Sequence, residues 1–206
     1  MNAIIIFVKN PELGKVKTRL AATIGPEKAL AIYKYLMQHT RQITSQADAD
    51  KFLFYSNKIE ESDEWSSLVF HKLVQDASTD LGKKMYEAFA YLLSKGYEKV
   101  LIVGSDCLEL TPEIISAAWE HLKMDSAVIG PAEDGGYYAI GFRFQGENAC
   151  DIQTLEKVFL GKQWSHHAVF DDACDVLNNE QKSFSLLPTL NDVDEEEDIK
   201  SILHLF

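Results

Sequence analysis

Cationic side chains are in short supply. The chain has 20 Lys and Arg against 32 Asp and Glu, a formal charge of −12 over 206 residues. This balance argues against nucleic acid as a main partner, because phosphate backbones are held by clustered Lys and Arg. Cysteine is also sparse. Cys107, Cys150 and Cys174 cannot all pair and have no zinc-like spacing, which points to a reducing, cytoplasmic setting. No apolar run approaches membrane-spanning length. The run Ala3 to Val8 is too short for the apolar stretch of a signal peptide. Internal repeats and low-complexity linkers are missing too. So are the two common phosphate-loop spacings, G-x-x-x-x-G-K-[ST] and G-x-G-x-x-G. What is present in quantity is hydrophobic residues, 46% of the chain, enough for one sizeable core and one domain spanning 1–206.

The apolar pattern alternates between strand-like and helix-like segments. Ala3 to Val8 reads as a strand buried on both faces, as does Val100 to Val103. Phe52 to Tyr55 and Leu68 to Val74 add two more, and Ala127–Ile129 and Tyr138–Ile140 bracket a loop. From Glu27 to Gln46, Leu30, Tyr33, Leu36, Met37, Thr40 and Ile43 form one helical stripe, with Pro26 near its start. Leu81 to Ser94 is a helix with Leu81, Met85, Ala88, Phe89 and Leu92 inward, closed by Gly96. Thr111-Pro112 opens another, and Val169 to Leu177 has helical spacing. Phe184 to Leu187 suits a short strand and Ile199 to Leu205 a terminal helix. Gly141 to Ser165 is the least regular stretch. Such alternation predicts a three-layer α/β/α domain with a mostly parallel central sheet.

Four groups of residues carry chemistry. Asp106 follows the strand Lys99 to Val103, at the end where open α/β sheets bind ligands. Its carboxylate is suited to Mg²⁺ or Mn²⁺ against a diphosphate, and equally to a helix cap or turn. The neighbouring Cys107 reads as packing, with no base in sequence reach. The segment Lys9 to Leu20 puts Lys9, Lys15, Lys17 and Arg19 around Glu12 in an otherwise acidic chain, directly after the first strand. It is placed to lay cations along phosphates, with Gly14 permitting close backbone approach. If the loop is extended, Lys17 and Arg19 share a face; if it is helical, they lie roughly 200° apart.

Gly130 to Tyr138 contains Asp134-Gly135-Gly136, a turn between two strands. The turn alone accounts for the glycines. Pro131, Glu133 and Asp134 add stiffness and polarity beyond it, and the two tyrosines suit ring stacking or an acceptor pocket. Finally, Asn191 to Asp198 is strongly acidic. A negative helix N-terminus explains Glu195 to Asp198. Asp192 and Asp194 alternate as if ending a strand, and one of them is placed to meet Asp106. His166-His167 fits no zinc pattern, because adjacent helical histidines rarely ligate one ion.

As an ordered set these motifs resemble a bacterial family of proposed glycosyltransferases, the radical-SAM/selenodomain-associated transferases. The matching pieces are Lys9-x-Pro11-x-x-Gly14-x-Val16-Lys17-Thr18-Arg19-Leu20, Asp80-Leu81-Gly82-x-x-Met85, Gly104-Ser105-Asp106-Cys107, Gly130-Pro131-Ala132-x-Asp134-Gly135-Gly136-Tyr137-Tyr138, Trp164-Ser165 and Asp192-Val193-Asp194. Two positions depart: Lys84 stands where the family usually has Arg, and Leu108 where it usually has Pro. The first motif is also similar to the basic loop of small nucleotidyltransferases.

The resemblance implies a nucleotide-diphospho-sugar transferase (GT-A-like) fold, with the nucleotide over the sheet edge. It implies Asp106 and Asp194 as ligands of a divalent cation, Mg²⁺ or Mn²⁺. Lys9, Gly14, Lys15, Lys17 and Arg19 are then expected to bind the nucleotide, and Asp134 to act as acceptor base or sugar ligand from the opposite side of the cleft. The expected reaction is glycosyl transfer from a nucleotide sugar to a small-molecule acceptor. The alternatives are nucleotidyl transfer from a nucleoside triphosphate, or a nucleotide-binding protein without turnover.

Overall fold

The computed structural model describes residues 1–164 and 167–206. Ser165 and His166 lie outside the described residues, and with them one residue each of the Trp164-Ser165 motif and of the histidine pair.

The strands are β1 (Asn2–Val8), β2 (Asp50–Tyr55), β3 (Phe70–Val74), β4 (Lys99–Val103), β5 (Ala127–Pro131), β6 (Tyr137–Arg143) and β7 (Phe184–Leu186). They form a seven-stranded sheet in the order β3-β2-β1-β4-β6-β5-β7. β6 runs antiparallel to both its neighbours, and every other pairing is parallel. The helices are α1 (Thr18–Ile24), α2 (Pro26–Ser45), α3 (Leu81–Ser94), α4 (Pro112–Met124), α5 (Ile152–Phe159) and α6 (Val169–Asn179).

Alternation along the central strands sorts the core into two layers. Ile4, Ile6 and Val8 of β1 point to one face, where Tyr33 and Met37 of α2 and Ile115 and Ala118 of α4 meet them. Ala3 and Ile5 point to the other, against Met85, Phe89 and Leu92 of α3, Leu155 and Phe159 of α5 and Leu177 of α6. The expected three-layer α/β/α arrangement with a mostly parallel sheet is therefore present. Because both faces of β1 and β4 are covered, these strands read as unbroken apolar runs.

Some sequence expectations need correction. Thr18–Ile24 is a helix, although only Leu20 in it is buried, so it carries almost no amphipathic signal. Ile152–Phe159 is a helix inside the stretch that looked irregular, capped by Asp151, whose carboxylate accepts from Thr154 N–H at 2.8 Å. The expected terminal helix over Ile199 to Leu205 is replaced by two single turns of 3₁₀-helix, Glu196–Ile199 and Leu203–Leu205. Leu81 was expected inward and is 43% exposed; it sits on the cleft described next.

Candidate active site

The strand order reverses between β1 and β4. β2 and β3 lie on one side of β1 and the later strands on the other, so the loops leaving the carboxyl ends of β1 and β4 diverge and open a crevice. A cleft of about 700 Å³ occupies this place. Asp106 enters it three residues beyond β4, and Lys9 enters it directly after β1.

The acidic segment is brought to Asp106 by backbone pairing. Leu190 bridges Ala132 beyond the end of β5, and Val193 N–H donates to the carbonyl of Asp106 at 2.9 Å. Asp198 then fixes the turn. One carboxylate oxygen accepts from the N–H groups of Asp194 (2.9 Å) and Glu195 (2.7 Å), and the other from the Asn191 side chain (2.8 Å). Burial opposes its charge, but these hydrogen bonds outweigh it and hold the Asp198 carboxyl below the usual range.

Lys17 closes the arrangement. It stands at the start of α1 with φ +46°, a left-handed conformation unusual for a side chain of its size. Its ammonium is 3.0 Å from one Asp106 oxygen and 3.1 Å from one Asp194 oxygen, and its side chain is only 4% exposed. Those two oxygens are therefore no more than about 6 Å apart. Burial works against the charge on Lys17, but Asp106 and then Asp194 more than compensate, so its pKa lies above the ordinary lysine value. Arg19 reaches the same Asp194 carboxylate at 3.6 Å from an exposed position. The segment is helical at Arg19, yet both cations face the cleft: Lys17 precedes the helix, so the 200° separation does not apply.

The rest of the basic segment divides. Lys9 lines the cleft, and the Tyr33 hydroxyl braces its backbone by accepting from its N–H (2.7 Å) and donating to its carbonyl (3.0 Å). Lys15 turns outward to Glu12 at 2.5 Å, and neither Lys15 nor Gly14 lines the cleft. Gly14 has φ +73° and open space where a Cβ would sit, so the turn rather than a close neighbour demands glycine.

Asp134 lines the cleft as well. One of its oxygens also accepts from Gly136 N–H at 2.8 Å, so it shapes the turn that presents it. Phe170 N–H donates to the Gly135 carbonyl at 2.9 Å, which ties the turn to α6. Of the two tyrosines, Tyr138 is structural: its hydroxyl donates to the Pro188 carbonyl at 2.9 Å and its ring packs where a Cβ on Gly130 would be. Both tyrosines line the cleft, and Tyr137 lies edge-on to Trp164 at 6.5 Å.

Asp192 is the residue the sequence reading passed over in favour of Asp194. It lines the cleft, and burial followed by the charges of Asp106 and Asp134 pushes its carboxyl up to about 7. The strand-like alternation of Asp192 and Asp194 was the available signal, but it did not say which one would be buried. Among the described residues no group of three or more His, Cys, Asp or Glu is placed to hold a metal ion by itself. The donors at the Lys17 position are two hard carboxylates. This fits a cation such as Mg²⁺, which is commonly held by one or two carboxylates with substrate phosphates and water completing the shell.

No helix is long and apolar enough to cross a membrane among the described residues. The fold matches that of nucleotide-diphospho-sugar transferase-like structures. A proposed nucleotide-diphospho-sugar transferase from Desulfovibrio desulfuricans G20 superposes with a TM-score of 0.82 at 32% identity, covering 94% of this chain and 82% of that one. CMP:2-keto-3-deoxy-manno-octonic acid synthetase in complex with CTP gives a TM-score of 0.58 at 7% identity, over 99% and 97% of the two chains. Rv0371C of Mycobacterium tuberculosis H37Rv in complex with manganese gives 0.55 at 11%, over 100% and 98%. At those identities the last two show the fold alone. A search of curated proteins by sequence finds no match. A family model matches residues 39–166, which include Asp106 and Asp134, and places the chain in the family of uncharacterized proteins conserved in bacteria, DUF2064.

Proposed function

We propose that the protein is a metal-dependent transferase that takes a sugar from a nucleotide-diphospho-sugar and gives it to a small-molecule acceptor. It would be a cytoplasmic enzyme of the radical-SAM/selenodomain-associated kind. The observation that carries this reading is the convergence of Asp106, Asp194, Lys17 and Arg19 at the point where the strand order reverses. The description of the Desulfovibrio relative agrees with it, and the manganese complex of a distant structure is compatible with it.

The proposed roles follow from position. Asp106 and Asp194 hold Mg²⁺ or Mn²⁺, which when bound supplies positive charge against a departing diphosphate. Lys9, Lys17 and Arg19 orient the phosphates from the β1 side. Gly14 and Lys15, assigned to the nucleotide from sequence, contribute by shaping the loop. Asp134 accepts the proton of the acceptor hydroxyl from across the cleft, and Tyr137 and Trp164 wall the space in which that acceptor sits.

One observation favours nucleotidyl transfer as a second reading. Lys9, Arg19 and Lys84 all line the cleft in addition to Lys17, which is more positive charge than a diphosphate requires. The products separate the two. The protein is incubated with panels of nucleotide sugars and nucleoside triphosphates, Mn²⁺ and small acceptors. Release of nucleoside diphosphate supports glycosyl transfer. Release of pyrophosphate replaces it with nucleotidyl transfer, and binding of nucleotide without any product leaves a binding protein. Within the enzyme, Asp134→Asn keeps the turn, because an amide oxygen also accepts from Gly136 N–H. It should lower kcat by about 100-fold with donor affinity unchanged, as expected for a lost general base. Unchanged kcat would confine Asp134 to the turn.

A further inference from the structure

The Lys17 side chain is almost fully enclosed in the cleft, and nothing about binding phosphate requires it to be enclosed. A phosphate-binding lysine works as a point charge on a flexible stem. Here the stem is buried, the backbone is left-handed, and the ammonium touches two carboxylates from different loops. A non-glycine residue in that conformation is strained, and it persists only where its surroundings hold it. The surroundings here are Asp106 and Asp194, the two side chains assigned above to the divalent ion.

We propose that Lys17 is a resident counter-ion for that site: its ammonium occupies the position between Asp106 and Asp194 until a divalent cation displaces it, and the displaced ammonium becomes the phosphate ligand. This rests on the metal reading given under Proposed function.

Geometry makes the two occupants exclusive. An ion bound to both carboxylates would sit about 2.0–2.1 Å from their oxygens. The ammonium contacts the same pair at 3.0 and 3.1 Å, and two like charges cannot share so small a space. The ammonium therefore does for the empty protein what the ion does for the loaded one. It prevents two carboxylates, with Asp192 and Asp134 nearby, from facing one another unneutralised.

The device also gives an order to binding. The ion alone gains its two carboxylates but strands the buried ammonium. An ion arriving with a diphosphate offers that ammonium a new partner. Metal and diphosphate should thus bind cooperatively, each raising the other's affinity by the same factor. Arg19 differs in this respect. It is 71% exposed at its side chain and 3.6 Å from Asp194, so it stays available to phosphate throughout.

The test is Mn²⁺ binding followed by electron paramagnetic resonance, with inorganic pyrophosphate as the diphosphate probe. Lys17→Gln should bind Mn²⁺ alone about tenfold tighter than the unaltered protein, and pyrophosphate should enhance its Mn²⁺ affinity less. Equal or weaker Mn²⁺ affinity in Lys17→Gln, with binding still abolished by Asp106→Asn, overturns the counter-ion role while the metal reading stands. Failure of the unaltered protein to bind Mn²⁺ even with pyrophosphate overturns the metal reading and this inference with it.

A second measurement needs no variant. Brief acetylation read by mass spectrometry should leave Lys17 protected without ions. It should become labelled on addition of Mn²⁺ and protected again with Mn²⁺ and pyrophosphate. Continued protection with Mn²⁺ alone, at concentrations where the ion is bound, overturns the displacement.

Discussion

The basic loop after β1 and the acidic segment after β7 meet at one site but are built on opposite principles. The basic loop is held by backbone conformation. Gly14 and Lys17 both take left-handed φ values, and Tyr33 clamps the backbone of Lys9. The acidic segment is held by a carboxylate of its own, since Asp198 collects the N–H groups of Asp194 and Glu195 and the Asn191 amide. In each, part of the charge is absorbed locally. Lys15 is taken up by Glu12, and Asp198 by its own turn. The lesson is that local excess of charge locates a site without saying which charges serve it. That is decided by which side chains are left pointing across the gap.

Removing the point where the two segments meet should have the largest effect. Asp106→Asn is expected to weaken Mn²⁺-dependent nucleotide binding by about 100-fold or more, read by calorimetry, with the circular dichroism spectrum unchanged. Retained binding would mean that the segments meet for structural reasons only.

Loosening one side comes next. Asp198→Ala leaves the N–H groups of Asp194 and Glu195 without their acceptor. It should lower stability by about 1–3 kcal/mol in urea, and it should weaken nucleotide binding about tenfold by freeing Asp194. An unchanged nucleotide affinity would show that Asp194 does not depend on the turn.

The crowding of carboxylates can be read from pH. Asp192 has a folded-state pKa of about 7, against 3.8 unfolded, so between these values the native state binds more protons than the unfolded one. Stability from this group is full below the lower value and is lost as pH rises through the upper. Without divalent ions, Tm should therefore fall across that window, and Asp192→Asn should remove that part of the dependence. Parallel pH profiles for the two proteins would place Asp192 in solvent.

The smallest effect tests the absorbed charge. Lys15→Ala breaks an exposed pair and should change stability by less than about 0.5 kcal/mol and nucleotide affinity by less than twofold. A tenfold loss would return Lys15 to the nucleotide site.

Much of the fold was legible because strands buried on both faces and long amphipathic helices carry strong periodic signals. β1, β4, α2 and α3 were found within two residues of their bounds. α1 and α5 were not. They have 7 and 8 residues, too few for periodicity to separate from composition, and their helicity is supported by packing and, in α5, by the Asp151 cap. The C-terminal stretch from Ile199 failed for a related reason. Only Ile199 in it is buried, so no stripe sustains an α-helix, and the chain settles into single 3₁₀ turns.

The site divides in the same way. A carboxylate beyond β4, cations after β1 and an acidic run late in the chain were legible in the order of residues. These follow from residue type and from the ends of recognisable strands. The burial of Lys17 between Asp106 and Asp194, the outward turn of Lys15 and the raised pKa of Asp192 came instead from the packing of distant segments. Burial and charge proximity arise between segments about 90 and 180 residues apart, and such contacts leave no local trace in the order of residues.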